Sequence, residues 1–260
     1  MKKLRLPGVR LGGTSWVIEG SFADNLRELS RDVQDMQFVL FDNKYGSNIP
    51  SKEEVAWLST LKDELGMSCI VHFPHDICLS AEAAERTRCE DSCLRMMELF
   101  APLDPFAWIL HLDGELYGAY PSADMEGWLA KTRRSVDRLA AAADKEKICA
   151  ETLDYNFRIV YPTVAEAGIS ICLDIGHLVR YGHPVLEQMD SYLHKTRVIH
   201  IHGVKPDGTD HVDMSWFDAE LFCEIVKKLG ADGRERVMTL EVFEDNYKKS
   251  LAAINNMLGE

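Results

Sequence analysis

Six side chains of the types that bind metal ions stand at the ends of short apolar runs. They are His72, His111, Glu151, Asp174, His200 and Glu241. Runs of this kind are typical of buried strands. Three carboxylates in one narrow space would repel one another unless cations or bases compensated them, and neutral imidazoles are suitable co-ligands of a divalent ion. The residue types therefore predict a metal site, provided that the fold brings the strand ends together.

The ligand types indicate the metal. Mixed imidazole and carboxylate ligation suits zinc best, with manganese or iron as alternatives and magnesium less suitable, because several ligands are nitrogen. The segment Asp174-Ile-Gly-His177 can place another ligand, and Asp210-His211 follows a turn. His177, Asp210 and His211 could together hold another ion, or Asp210 and His211 could simply order their loop.

Three more residues near the run ends have open roles. Asp42 and Asp113 are expected to support the ligands or contact a substrate rather than bind metal. His202 lies two residues after His200, so the period of two places both imidazoles on one face of a strand. The pattern assigns no role to His202.

Eight apolar runs occur along the chain, each followed by a helix-like stretch. The predicted strands are Val9–Trp16, Met36–Asp42, Ser68–Pro74, Ala107–Asp113, Lys147–Leu153, Ser170–Gly176, Arg197–Gly203 and Arg236–Val242. Alternating strands and helices pair in parallel through right-handed crossovers, and eight such units close most naturally into a barrel. The sequence thus predicts a (β/α)8 TIM barrel, in which catalytic groups lie at the C-terminal strand ends.

The helical stretches carry start and stop signals. Ser51-Lys-Glu-Glu54 predicts a capping box at the start of one helix, and Gly66 predicts its end. Longer helical patterns cover residues 80–99 and 122–146. No GxGxxG motif follows the first strand, so a dinucleotide-binding sheet loses its main support.

Length and composition limit the organisation of the protein. The 260 residues are 46% apolar, which suits one barrel domain over residues 1–260. The start of the sequence lacks the features of a secretory signal, and no apolar run is long enough to span a membrane. Seven cysteines without a CxxC pair suggest a reducing compartment. We therefore expect a cytoplasmic enzyme without a membrane partner.

The net charge of −13 argues against nucleic acid as the main partner, because phosphate-backbone binding normally needs a basic surface. A metal site can still attract a single phosphodiester on an acidic protein, since bound cations dominate the local field. A small-molecule substrate is therefore expected.

The order of the motifs resembles the xylose-isomerase-like barrel superfamily, which includes nucleases of the endonuclease IV type. The resemblance covers nearly the whole chain. It includes Val71–Pro74, His111–Gly114, Glu151, the Asp174/His177 pair, His200, Asp210-His211 and Glu241. By motif, the resemblance implies one ion at His72, His111 and Glu151, a second at Glu151, Asp174, His200 and Glu241, and a third at His177, Asp210 and His211. That family carries Asp-x-His where Asp210 and His211 are adjacent here.

A more specific resemblance lies in the framework. Four segments resemble the cobamide-remodelling phosphodiesterase family. They are LGGTSWVIEGSFADNLRELSRDVQDMQFVLFDN, CLDIGHLVRYGH, RVIHIHGV and TLEVFEDNYKKSL. The resemblance implies cleavage of the nucleotide-loop phosphodiester of B12-like cobamides to a cobinamide and α-ribazole phosphate. Two or three divalent ions, most suitably zinc, would serve this reaction. Glu151 and Glu241 are the expected catalytic residues, Glu151 between two ions and Glu241 as a ligand or proton acceptor.

Three other functions fit the same barrel. A sugar isomerase or epimerase needs only the quartet of Glu151, Asp174, His200 and Glu241, and an apurinic-site endonuclease would use all three sites. A non-catalytic barrel that binds a corrinoid or a sugar is the remaining alternative. The additional imidazoles favour a multinuclear hydrolytic site over the sugar isomerase. The intact set of carboxylates and imidazoles argues against the non-catalytic barrel, because a purely structural site is more often a closed cage of four ligands. The acidic charge disfavours the apurinic-site endonuclease.

Overall fold

The computed structural model describes residues 3–259, which contain ten β-strands and nine α-helices. The strands are β1 (Val9–Thr14), β2 (Asp35–Val39), β3 (Asp42–Asn43), β4 (Gly46–Ser47), β5 (Ser68–His72), β6 (Trp108–Leu110), β7 (Ile148–Glu151), β8 (Ser170–Asp174), β9 (Thr196–Ile201) and β10 (Arg236–Leu240). The helices are α1 (Phe22–Leu29), α2 (Lys52–Glu64), α3 (Ala83–Phe100), α4 (Met125–Ala142), α5 (Tyr161–Ala167), α6 (Ile175–Arg180), α7 (Val185–Tyr192), α8 (Ala219–Gly230) and α9 (Asp245–Leu258).

Eight of the strands form a closed parallel barrel. Their order around it is β1, β10, β9, β8, β7, β6, β5 and β2, and the ladder between β1 and β2 completes the ring. The predicted (β/α)8 fold is thus confirmed. The remaining strands, β3 and β4, pair as an antiparallel hairpin after β2. The prediction that the second strand runs through Asp42 is therefore wrong, since β2 ends at Val39 and Asp42 lies exposed in the hairpin.

The interior of the barrel explains where the polar residues lie. Its centre is an apolar cluster built from one inward-facing residue of each of six strands and from Ala107, which directly precedes β6. The strand residues are Ile70, Ile109, Cys149, Cys172, Val198 and Val237. Because side chains alternate along a strand, the residues two positions further on also face inward. These residues are His72, Glu151, Asp174 and His200 on four strands, and His111 directly after β6. Glu241 stands four positions beyond Val237 and has the same parity. The six predicted ligands at the strand ends therefore lie above the apolar centre.

The helix signals are fulfilled to different degrees. Ser51 accepts a hydrogen bond from the Glu54 backbone NH at 3.1 Å and caps α2. The reciprocal bond from Glu54 is not formed, so the predicted capping box is only half present. Gly66 follows the end of α2 with φ of 61°, a conformation that favours glycine. The patterns over 80–99 and 122–146 correspond to α3 and α4. Both helices begin three residues later than predicted, and α4 also ends earlier, at Ala142.

A second and larger apolar core lies between the barrel and its helices. Fully buried side chains such as Leu26, Leu58, Phe100 and Phe222 face the strands from four helices. Burying a side chain of this size stabilises the fold by about 1.5–3 kcal/mol. The scaffold of the strand ends is thus rigid. Among residues 3–259, no helix combines the length and the apolar character needed to cross a membrane.

Candidate active site

Four predicted ligands meet at the centre of the C-terminal mouth. His200 Nδ1 lies 3.3 Å from Glu151 Oε1, 3.3 Å from Glu241 Oε2 and 3.8 Å from Asp174 Oδ2. The register of β8 and β9 brings Asp174 beside His200 as neighbouring residues in the ladder. All four are buried, and one ligand atom from each lies within 4.8 Å of the others. We call these four residues the central quartet.

The other oxygen of Glu151 faces a group of imidazoles. Glu151 Oε2 lies 3.2 Å from His72 Nε2 and 3.1 Å from His111 Nε2. His75 joins them from the loop after β5, with ring centroids 4.9 Å from His72 and 4.8 Å from His111. Sequence reasoning did not single out His75, although its spacing of three from His72 at a strand end was an available signal. Glu151 thus stands between this group and the rest of the central quartet.

A second group of imidazoles adjoins the quartet. It consists of His177, His202 and His211, whose potential ligand atoms lie within 4.8 Å of one another. The Asp174 carboxylate caps α6 by accepting a hydrogen bond from the His177 backbone NH at 2.7 Å. This contact explains the spacing in Asp174-Ile-Gly-His177. Asp174 is the N-cap of α6, and the cap side chain binds the backbone NH of the third helical residue, which is His177.

Asp210 lies beside this group. Its Oδ2 accepts a hydrogen bond from Arg180 at the end of α6, and it lies 4.0 Å from His211 Nε2. The assignment of Asp210 as a metal ligand stays a prediction. The pair of Arg180 with Asp210 joins the end of α6 to the loop after β9.

Backbone carbonyls fix the orientation of three imidazoles. Nδ1 of His72 lies 2.7 Å from the carbonyl of Phe73, Nδ1 of His177 lies 3.0 Å from that of Thr152, and Nδ1 of His211 lies 2.9 Å from that of Glu241. A carbonyl oxygen can only accept, so each Nδ1 carries the proton and each neutral ring keeps a lone pair on Nε2. This arrangement is typical of histidines that bind metal through Nε2.

Gln37 on β2 was not predicted as a site residue, although it touches two that were. Its side-chain oxygen accepts a hydrogen bond from His200 Nε2 at 2.7 Å, and its side-chain nitrogen donates to Glu241 Oε1 at 2.9 Å. His200 therefore keeps its lone pair on Nδ1, the atom that faces the carboxylates. The period of two along β2 places Gln37 inward and could have identified it.

The ionisation of the site follows from burial and neighbouring charges. Burial favours the neutral acids, but His200 and His111 outweigh it and hold the pKa of Glu151 well below its usual range. His200 has the same effect on Glu241, whose pKa is also well below its usual range despite burial. Burial disfavours the charged form of His111, yet Glu151 and Asp113 raise its pKa to about 9. The carboxylates are therefore ionised and need positive charge beside them.

Two buried polar atoms support a fit to metal ions. Asp174 Oδ2 and His202 Nε2 have no hydrogen-bond partner among the described residues, although both are fully buried. Unsatisfied buried groups of this kind cost about 1–3 kcal/mol each, and a cation would satisfy both. Cys172 lies beside His200 and Glu151 and offers a further potential ligand atom, although burial raises the pKa of its thiol well above the usual value in the absence of a metal ion. The donor set suits divalent ions.

The mouth of the barrel holds a cavity of about 330 Å³ over these ligands. Besides the ligands it is lined by Asp113, Asp154, Tyr117, Tyr181 and Phe243. Asp113 Oδ1 lies 3.7 Å from His111 Nδ1, whereas Asp42 does not line the cavity. The supporting roles of both residues stay predictions. A larger cavity of about 410 Å³ lies at the other end of the barrel, around Phe106, and contains none of the predicted ligands.

The comparison with protein families decides the wider assignment. The family model described as Xylose isomerase-like TIM barrel matches residues 36–257, which is more than half of the chain. The chain belongs to this xylose isomerase-like TIM barrel family. A comparison with curated protein sequences finds no relative.

Solved structures of enzymes share this family's fold at low sequence identity. A D-tagatose 3-epimerase-like protein superimposes with a TM-score of 0.74 at 17% identity, over 96% of this chain and 97% of that one. The 3-keto-D-glucoside 4-epimerase from E. coli gives 0.72 at 12%, over 97% and 100%. Endonuclease IV from Thermus thermophilus gives 0.68 at 16%, over 96% and 99%. These likenesses establish the barrel but do not distinguish epimerase from nuclease chemistry.

Proposed function

We propose that the protein is a metal-dependent phosphodiesterase that cleaves the nucleotide-loop phosphodiester of cobamides. In this reaction water adds to phosphorus and the bond from phosphorus to the cobinamide oxygen breaks. That oxygen leaves as an alcohol after gaining a proton, and the phosphate stays on α-ribazole. The proposal places the reaction at the C-terminal mouth of the barrel.

One observation carries the hydrolytic part of this proposal. Two groups of three imidazoles flank the central quartet, so seven of the nine histidines lie together with three carboxylates. An epimerase of this fold needs only the quartet. A single ion would leave most of these imidazoles without a partner, whereas two or three ions would use them. The donor set therefore favours a multinuclear site.

Clustered divalent ions, when bound, supply positive charge to the oxygens of a phosphodiester and make a water molecule more acidic. The residues of the chain hold this site in place. Glu151 spans the centre because its two oxygens face different imidazoles, Oε2 toward His72 and His111 and Oε1 toward His200. Glu241 is fixed on one oxygen by Gln37, so its other oxygen stays directed at His200.

The size of the cavity supports a substrate that enters only in part. A volume of about 330 Å³ is at the lower end of the range for ligand pockets. It accommodates a phosphodiester and its neighbours but not a corrin ring. Exposed aromatic side chains follow the C-terminal strand ends, among them Tyr117, Trp216 and Phe243. Such side chains can pack against a large planar ligand that remains outside the cavity.

The choice of a cobamide rests on the framework segments that resemble the cobamide-remodelling family. Sugar epimerisation is the second function, and the epimerases among the solved structures support it. In that reaction Glu151 and Glu241 would move a proton on opposite sides of a ketose beside one ion. The acidic net charge of −13 makes an apurinic-site nuclease the weakest of the three functions.

The experiment compares three substrates under the same conditions. Purified protein is loaded with zinc or manganese and incubated with an adenosylated cobamide, with D-tagatose or D-fructose, and with duplex DNA that contains an abasic site. We expect cobinamide and α-ribazole phosphate, separated by chromatography, from the first mixture only. Glu151→Gln provides the inactive control. A sugar epimer without any cobinamide, or cleaved DNA without any cobinamide, would contradict the proposal.

A further inference from the structure

A histidine that is not among the predicted ligands, His202, lies at the third predicted metal site. His177 and His211 are two of its predicted ligands, and Asp210 is the third. The ring of His202 lies 4.1 Å from that of His211 and 5.8 Å from that of His177, measured between centroids. Asp210 Oδ2 lies 4.0 Å from His211 Nε2 and already accepts a hydrogen bond from Arg180. We infer that His177, His202 and His211 form an all-imidazole metal site and that Asp210 is not one of its ligands.

The environment of His202 supports this assignment. The ring is fully buried, and its Nε2 has no hydrogen-bond partner among the described residues. The nearest acceptor is Asp174 Oδ1, at 3.5 Å, and that oxygen already accepts from the His177 backbone NH. A buried imidazole nitrogen without a partner is costly, and a bound cation would remove the cost. His202 Nε2 is therefore directed at a ligand position.

The other ring nitrogen of His202, Nδ1, can donate to a backbone carbonyl, as it does in many histidines that bind metal through Nε2. Nδ1 lies 3.2 Å from the Gly203 carbonyl and 3.1 Å from the His211 backbone nitrogen. The first contact needs a proton on Nδ1 and leaves the Nε2 lone pair free, while the second needs the opposite tautomer. A cation at Nε2 selects the first, in which a backbone carbonyl orients the ring.

The backbone around this group is shaped to admit the ring of His202. A Cβ atom on Gly176 would lie 2.2 Å from the His202 ring, so a residue other than glycine at this position would displace it. His211 has φ of 51°, a left-handed conformation that is uncommon for residues other than glycine. Both features cost conformational freedom or stability, and both bring the three rings together. They indicate a built site rather than a chance contact.

The change from a carboxylate to an imidazole alters the charge of the site. Three neutral imidazoles leave the full double charge of a divalent ion, whereas two imidazoles and a carboxylate leave a single charge. The more positive site attracts an anionic phosphodiester more strongly and is less suited to a neutral sugar. This consequence rests on the proposed function, but the ligand assignment does not.

Metal counting on the full-length protein tests the assignment without any substrate. Metal-free wild type, His202→Asn, Gly176→Ala and Asp210→Asn are reloaded with zinc, freed of excess by gel filtration, and analysed for zinc ions per chain by mass spectrometry. His194→Asn, a change of an exposed histidine outside the site, is the matched control. We expect one ion fewer per chain in His202→Asn and Gly176→Ala, and the wild-type number in Asp210→Asn and His194→Asn.

Two results would overturn the assignment. One is the loss of an ion from Asp210→Asn, and the other is an unchanged number of ions in a folded His202→Asn protein. Circular dichroism establishes which variants are folded. Asp210 lies in a loop, so its variant remains informative if the buried His202→Asn change prevents folding. No substrate enters this measurement. The ligand assignment can therefore hold even if the protein does not cleave cobamides.

Discussion

Gln37 accepts a hydrogen bond from His200 Nε2 at 2.7 Å while donating another to Glu241 Oε1 at 2.9 Å. One amide thus orients two residues of the central quartet that lie on different strands. It decides which nitrogen of His200 keeps a lone pair and which oxygen of Glu241 faces that nitrogen. Neither contact places Gln37 itself at the ligand positions. Gln37 therefore acts on metal binding only by orienting His200 and Glu241.

Gln37→Leu should weaken metal binding without removing a ligand. The variant leaves His200 free to rotate and Glu241 free to turn, and losses of such supporting bonds typically reduce metal affinity about 10–100-fold. Competition with a chelating dye measures the affinity. Thr239→Val is the matched control, because Thr239 lies inside the barrel below Glu241 and its buried hydroxyl has no partner among the described residues. Equal affinities for Gln37→Leu and wild type would contradict the supporting role.

His111→Ala should remove one ion per chain. His111 and His72 both face Glu151 Oε2, at 3.1 and 3.2 Å, and two imidazoles with one shared carboxylate match the three protein ligands that hold many zinc ions. Elemental analysis of the reloaded protein gives the number of ions. His194→Ala should retain the wild-type number, since His194 is exposed outside the mouth. The same number in His111→Ala and wild type would argue for a single-ion site and for the epimerase alternative.

Tyr117→Ala should raise KM for the cobamide with little change in kcat. Tyr117 lines the cavity and is 78% exposed, so it can pack on the part of a substrate that remains outside. An aromatic contact of about 0.5–1.5 kcal/mol corresponds to an increase in KM of up to about 10-fold. Tyr120→Ala is the control, because Tyr120 is 76% exposed in the same loop but does not line the cavity. Equal KM values for the two variants would exclude Tyr117 from binding.

The strand ends were the most predictable part of this site. The period of two and the apolar residues before His72, Glu151 and Asp174 decide which side chains face inward, and a parallel barrel leaves one end for all of them. The same rule places Gln37 inward. Gln37 was overlooked because an amide is a poor metal ligand, and its role depends on partners on two other strands.

The loops were less predictable, because contacts distant in sequence determine their conformation. Asp210 follows a recognisable turn, but its pairing with Arg180 depends on how the end of α6 lies beside the loop after β9. His75 follows Pro74, and its position near His111 depends on packing between two loops. Local patterns contain no information on either contact.

Asp35→Asn should alter how stability depends on pH. Asp35 lies fully buried on β2, where burial raises its pKa from 3.8 to about 6, although Ser68 and Arg10 oppose the shift. The folded state therefore holds a proton that the unfolded state releases between about pH 4 and pH 6. Stability from this group is present at lower pH and is lost as pH rises through that window, by up to about 3 kcal/mol.

Urea denaturation of wild type and Asp35→Asn between pH 4 and pH 7 measures this effect. The asparagine variant should gain stability relative to wild type as pH rises through the window and should differ least at pH 4. Asp63→Asn, at an exposed position on α2, should show no comparable change. A constant difference between Asp35→Asn and wild type across the range would mean that Asp35 titrates normally.

Arg236→Met should destabilise the fold without affecting metal binding. Arg236 is fully buried at the first residue of β10, at the end of the barrel opposite the site. It donates to the carbonyls of Thr196 and Leu193 at 3.1 and 2.9 Å and to both oxygens of Asp232 at 2.8 and 2.6 Å. Methionine fills a similar volume but leaves these acceptors unpaired, so we expect a loss of about 3 kcal/mol in the free energy of unfolding. In Arg234→Met, the loss of a largely exposed side chain should cost less than about 1 kcal/mol. Thermal denaturation compares the two variants, and an equal loss in both would show that the buried contacts of Arg236 add nothing to stability.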